Sequence, residues 1–266
     1  MNRAGLLVFV FLIASPAAYA ADKLDPLSEA RQLYNQRQFD AALAAAERAR
    51  LTPAVADRAD LIAARAFLER FRERGASDDL TKARERLRRI DPRRFDLLER
   101  TEFIVGLGEA LYFDESYGAA ADLFETVLDN ANALPADSRD RVLDWWAIAV
   151  DRDTWLRPEP PRERERAYER IRARMREELT MRPGSSTAAY WLAAAARSQG
   201  DLQGAWDAAQ AGWVRASLAT DRGAALRADL DRLMLVAIIP ERARILAQPV
   251  DTLKLEWERF KERWGN

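Results

Sequence analysis

The chain has 266 residues, with 42 basic against 43 acidic side chains for a formal charge of −1, and it contains neither histidine nor cysteine. Those absences exclude disulfides, thiol nucleophiles, zinc sites of the usual Cys/His kind and every histidine-based triad. The balanced charge excludes the strongly basic footprint of a nucleic-acid binder.

The chain opens with Arg3, the apolar run LLVFVFLIA over residues 6–14, and then Ala18-Tyr19-Ala20. A basic start, an apolar core and a small-x-small exit predict a secretory signal peptide over residues 1–20, cleaved after Ala20. The run falls short of the about 20 apolar residues that cross a bilayer, so a retained anchor is the weaker reading and no stable span is expected after processing. No cysteine follows the cleavage point, which excludes lipid attachment there. Loss of Arg3 leaves 41 basic residues against 43 acidic ones, a formal charge of −2. The expected compartment is the periplasm or the medium, where a chain without cysteine must be stable by packing alone.

Beyond residue 20 the apolar residues recur with the helical period. Asp25-Pro26 marks a helix start, Ala30 and Leu33 share a stripe, and a polar turn leads to Phe39, Ala42, Leu43, Ala46 and Ala49. Pro53 opens a helix carrying Leu61, Ala64, Phe67, Leu68 and Phe71 as far as Gly75. A linker over 75–79 precedes Leu80, Ala83, Leu87 and Ile90. Residues 95–130 give Ile104, Leu107, Gly108 and Leu111, a turn at 114–116, then Tyr117, Ala120, Ala121, Phe124 and Val127. Gly106 and Gly108 do not form a dinucleotide fingerprint, because no strand precedes them and the third glycine is missing.

Residues 135–155 place Val142, Trp145, Trp146 and Ala149 on a helix, and Pro158-Glu159-Pro160-Pro161 then forbids its continuation. The run 162–176 mixes arginine with glutamate around Ala167, Ile171 and Met175. It reads as a solvated helix laced with i, i+4 pairs, forming one degenerate hairpin with the helix before it. Residues 186–218 give the sharpest hairpin: Ala189, Leu192, Ala193 and Ala196, a turn at Gly200-Asp201, then Leu202, Ala205, Ala209 and Gly212 beside Trp206 and Trp213. Leu226, Leu230, Leu233 and Ala237 continue the period until Pro240. A last helix carries Leu253, Trp257, Phe260 and Trp264. That last stripe reads as a cap over the open apolar side of a terminal unit, with a docking helix as the alternative. No stretch alternates like a strand, so the fold is expected to be all-α.

The hairpin over 186–218 resembles the tetratricopeptide repeat. Leu192, Ala193, Ala196, Gly200, Leu202, Ala205 and Ala209 stand at that family's packing and turn places, with Gly212 where alanine is usual. The first hairpin matches at Ala30, Phe39, Ala42 and Ala49 but departs at Pro26 and Glu29, as an edge repeat would. The resemblance implies a right-handed superhelical solenoid of about five hairpins with a C-terminal capping helix. Repeats would occupy 21–157 and 162–249 on either side of the 158–161 break, with the cap over 250–266.

The family holds peptides or partner helices on the concave face formed by the first helix of each hairpin. Its register places Arg31, Tyr34 and Asn35 there, then Glu102, Val105, Glu109, Tyr112 and Phe113, then Thr187, Tyr190, Ala194, Arg197 and Ser198. Rings beside carboxylates and arginines suit a polar peptide. The expectation is therefore a non-catalytic scaffold that binds another protein or peptide of the cell envelope, with no cofactor and no metal. One alternative is an envelope glycan hydrolase using carboxylates alone, although no segment is left over to house a catalytic domain and Glu177 and Glu178 diverge on a helix. Another is a glycan or small-molecule pocket near Trp145, Trp146 and Trp155, since all 8 tryptophans lie from residue 145 onward.

Overall fold

The computed structural model describes residues 25–130, 132–156 and 161–264. The expected signal peptide and the proline-rich stretch 158–160 lie outside the described residues. Every regular element among those described is helical. None of these helices is long and apolar enough to cross a membrane.

Helix α1 (Pro26–Asn35) starts where the Asp25 carboxylate accepts the amides of Leu27 and Ser28. It turns back into α2 (Phe39–Arg50). Helix α3 (Ala56–Arg74) ends at Gly75, whose φ of 68° requires a residue without a Cβ penalty. Helix α4 (Ser77–Arg89) begins two residues later, so the expected long linker is absent. Asp78 and Asp79 instead form its acidic first turn, which favours the positive end of the helix, and Asp79 pairs with Arg70 of α3 at 3.0 Å. Helix α5 (Leu97–Phe113) opens with a complete capping box between Asp96 and Glu99 and leads into α6 (Tyr117–Leu128).

Helices α7 (Ala136–Leu156) and α8 (Pro161–Met181) were expected to form one hairpin, yet α7 packs chiefly on α6 and α8 chiefly on α9 (Ser186–Ser198). A buried ion pair ties them at one end. Glu178 is fully buried; it accepts from Nε of Arg139 at 3.1 and 3.2 Å and from Arg182 at 2.8 Å. Arg139 also donates to the carbonyls of Leu128 and Asn130, which closes the end of α6. Burial alone would push the Glu178 carboxyl up, but the bonds from the two arginines hold it below its ordinary value. The arginines of α8 reach other helices: Arg170 pairs with Glu125, Arg174 with Asp129, and Arg172 with Asp201 at 3.0 Å. The charged face is therefore stitched to its neighbours more than laced along itself.

Helices α9 and α10 (Leu202–Arg215) form the sharp hairpin, with Gly200 at φ 79° in the turn and the Asp201 carboxylate accepting the Gly204 amide. Helix α11 (Ala224–Leu233) does not stop at Pro240. A π turn over Met234–Ile238 carries it into α12 (Ile239–Leu246). The wider turn spares the bond that proline cannot donate, and it moves the buried stripe from Leu226 and Leu230 onto Met234 and Ile238 in place of Leu233 and Ala237. Helix α13 (Val250–Trp264) packs on α10 and α12. Trp257 is fully buried there, stacks on Phe260, meets Trp206 and Trp213 edge-on, and donates to Asp231 at 2.9 Å.

Alanine lets these helices approach closely: Ala42, Ala64, Ala83, Ala120, Ala193 and Ala205 are all fully buried. Gly108 does the same for α5 and α6, because a Cβ there would lie 2.5 Å from the Phe124 ring. The apolar residues divide into two clusters that meet on α5, which gives Ala110 to the first and Val105 to the second.

Candidate functional site

Along α5, Glu102, Val105 and Glu109 fall at i, i+3 and i+7 and therefore share one face. That face, with α1, α3 and α7, encloses a cavity of about 230 Å³. Tyr34 and Asn35 reach it from α1, Arg65 and Glu69 from α3, and Ser138, Arg141 and Trp145 from α7. Leu98, Val105 and Val142 supply apolar wall.

Two of its carboxylates are each shared by two arginines. Glu102 lies 3.0 Å from Nη1 of Arg65 and 3.6 Å from Nη1 of Arg31. Glu69 pairs with Arg72 one turn along α3 and lies 3.9 Å from Arg141. The Arg65 guanidinium also rests over the Tyr34 ring, 4.7 Å from its centre, which fixes both side chains. Burial pushes the Tyr34 hydroxyl up to about 12.

Glu109 differs from both. It is 8% exposed, and among the described residues it makes no hydrogen bond or ion pair. Burial lifts its carboxyl to about 8, with a smaller push from Glu69, while Arg65, Arg72 and Arg141 act in the opposite sense. At neutral pH the group is therefore mostly protonated, held at the wall of a cavity it can reach. Among the described residues no group of three or more carboxylate, histidine or cysteine side chains is placed to hold a metal ion, and Glu69, Glu102 and Glu109 are included in that statement.

The structure thus gathers Tyr34, Asn35, Glu102 and Glu109 around one cleft, while Arg31 does not line it and reaches it only through its ion pair with Glu102. Tyr112 lies on the same helix but away from it, edge-on to Phe113 and Tyr117. Tyr190 lines a separate, shallower hollow with Asp144, Thr187 and Asp229. Asp144 accepts from the Trp191 indole at 2.7 Å, and burial pushes its carboxyl up. Arg197 points elsewhere again and pairs with Glu241 of α12. The aromatic group read near residue 150 does not converge: Trp145 lines the cleft, Trp146 is fully buried beneath Arg170 and Arg174, and Trp155 is exposed. Neighbours on a helix point about 100° apart, which separates Trp145 from Trp146.

Arg65, Glu69, Ser138 and Arg141 are the cleft residues that the family register missed. The pair Arg65 and Glu69 did leave a trace, since it interrupts the apolar run of α3 at i, i+4 spacing. Ser138 and Arg141 belong to the least regular unit of the sequence and left none. The sequence matches no model of a known protein family, and a comparison with curated proteins finds no match.

Proposed function

We propose that the chain is a non-catalytic, exported scaffold. In this reading its hairpins form a right-handed superhelical stack of tetratricopeptide-like units capped by α13, and the face made by α1, α3, α5 and α7 holds a segment of another protein of the cell envelope. The observation that supports the reading is the convergence of Tyr34, Asn35, Glu102 and Glu109, chosen by repeat register alone, on one cleft, with Arg31 paired to Glu102 beside it. The arrangement favours binding over carboxylate chemistry. Hydrolysis of a glycan needs two carboxyl groups free to exchange protons and stabilise charge, whereas Glu69 and Glu102 are each held by two arginines.

The test is site-specific photocrosslinking in the native envelope fraction. A crosslinker at Asn35 or Ser138, both exposed on the rim, is expected to trap the same one or few envelope proteins, while one at exposed Gln203 on α10 traps none of them. Adducts that are the same from all three positions, or none from the rim, would reject the assignment of this face.

A further inference from the structure

We infer that the cleft is a socket for a basic side chain, a lysine or arginine of the bound segment, whose cationic head is received by the Glu109 carboxylate. The inference rests on the scaffold reading above and names the chemistry of its anchoring contact.

Size comes first. A cavity of about 230 Å³ lies below the 300–1,000 Å³ typical of pockets for whole small molecules, which suits one side chain better than a cofactor or a sugar chain. Its walls then set the character of that side chain. Val105, Val142 and Trp145 offer apolar surface to an aliphatic stem, as the stems of lysine and arginine require. The same wall offers the Glu109 carboxyl.

Charge decides between a cation and an anion. Arg31 and Arg65 are engaged by Glu102, and Arg72 and Arg141 by Glu69, so an anionic ligand would have to displace a carboxylate already in place. It would also face Glu109, a third acid with no partner of its own. A cation displaces no ion pair, only the proton of Glu109. It supplies a direct partner for a carboxyl that makes no hydrogen bond or ion pair among the described residues. Above about pH 8 the folded chain already carries the buried carboxylate, so there a cation gains the pair without that part of the desolvation penalty; below it, ionising Glu109 is part of the cost of binding.

Binding must then be coupled to proton release, since a cation pairs with the ionised acid. The groups facing Glu109 are Tyr34 from α1, Arg65, Glu69 and Arg72 from α3, Glu102 on α5 itself, and Arg141 from α7. Below its value of about 8, each unit of pH lost weakens the cation by up to about tenfold; above it, affinity levels off.

The purified protein would be titrated with capped pentapeptides of the form Gly-Gly-Xaa-Gly-Gly in which Xaa is lysine, arginine, norleucine or glutamate. The readout is the indole N–H resonance of Trp145, assigned with Trp145→Phe. The lysine or arginine peptide is expected to bind, norleucine and glutamate to bind at least about tenfold more weakly, and affinity to rise with pH until about 8. Glu109→Gln, which keeps the shape of the side chain, is expected to remove both the preference and the pH slope. Equal binding of norleucine, preference for glutamate, or a lysine preference that survives Glu109→Gln would each overturn the socket. A pH slope that persists in Glu109→Gln belongs to Glu69 or Glu102 and would overturn the role of Glu109. If rim crosslinks form while the basic peptides fail, the socket is wrong and the scaffold reading stands. If the basic peptides bind and no rim crosslinks form, the socket stands and the scaffold reading falls.

Discussion

Replacing Glu109 by glutamine should stabilise the protein by an amount that grows as pH rises above about 5. Folding carries this carboxyl from an ordinary 4.5 to about 8, so the folded chain binds its proton more tightly than the unfolded chain does. A group raised in this way contributes its full stability below 4.5, loses it steadily as pH rises, and has lost it all above about 8. At about 1.4 kcal/mol per pH unit the whole interval corresponds to a ceiling of about 5 kcal/mol, of which about 3 kcal/mol is already lost at about pH 7. A neutral carboxyl and a carboxamide cost similar amounts to bury, so wild type and Glu109→Gln should be nearly equal in stability near about pH 5. Above that pH the variant should gain steadily, to a ceiling of about 5 kcal/mol near about pH 8.5. Urea denaturation followed by circular dichroism across that range measures the gap. Because all other groups are shared, the difference between the two proteins isolates this one. A gap that does not change with pH would show that Glu109 is not buried unpaired, and the argument for the cleft would fail with it.

Two further substitutions probe how the site is held. Gly108→Ala places a methyl 2.5 to 3.0 Å from the Phe124 ring and should cost about 1–3 kcal/mol by forcing α5 and α6 apart. Gly106→Ala meets nothing closer than 3.5 Å and should be neutral or stabilising by up to about 1 kcal/mol, so thermal melts of the pair separate crowding from helix propensity. Arg139→Met strands the buried Glu178 carboxylate with Arg182 alone and should destabilise by about 3–5 kcal/mol, read as a lower urea midpoint with an unchanged slope.

The helices were legible because their apolar residues keep a strict period. Leu61, Ala64 and Leu68 on α3, or Ala189, Ala193 and Ala196 on α9, are all buried where spacing put them. Pro240 was misread because a π turn is invisible to a pattern counted at 3.6 residues, and Leu233 and Ala237 lost their places to Met234 and Ile238 for that reason. Charges were legible only where their partners are local. Arg139 finds Glu178 across 39 residues and Arg65 of α3 finds Glu102 of α5 across the intervening helix α4, so in sequence each looks like a solvated residue. Where consecutive first helices adjoin, from α1 to α5, Tyr34, Asn35, Glu102 and Glu109 of the residues chosen by register line one cleft, while Tyr112 faces away from it. Tyr190 and Arg197 lie beyond α7, where the irregular pairing of α7 and α8 breaks the register used to choose them.

That the unpaired carboxyl lies on α5 has a structural reason. This helix gives Ala110 to one apolar cluster and Val105 to the other, and it is pressed against α6 at Gly108, so its face toward the cleft can neither rotate nor retreat. On a looser helix Glu109 would swing to water and regain an ordinary carboxyl. Here the packing that fixes the hairpins also keeps the acid largely buried, and Arg65 does not pair with it because Glu102 and the Tyr34 ring already hold that guanidinium. The same contacts that make Glu109 costly to the folded chain make it available to a ligand: the side chain is placed at the cavity wall and carries no ion pair of its own. Stability lost at Glu109 and affinity gained there are then two readings of one burial, which is why a single substitution should move them in opposite directions.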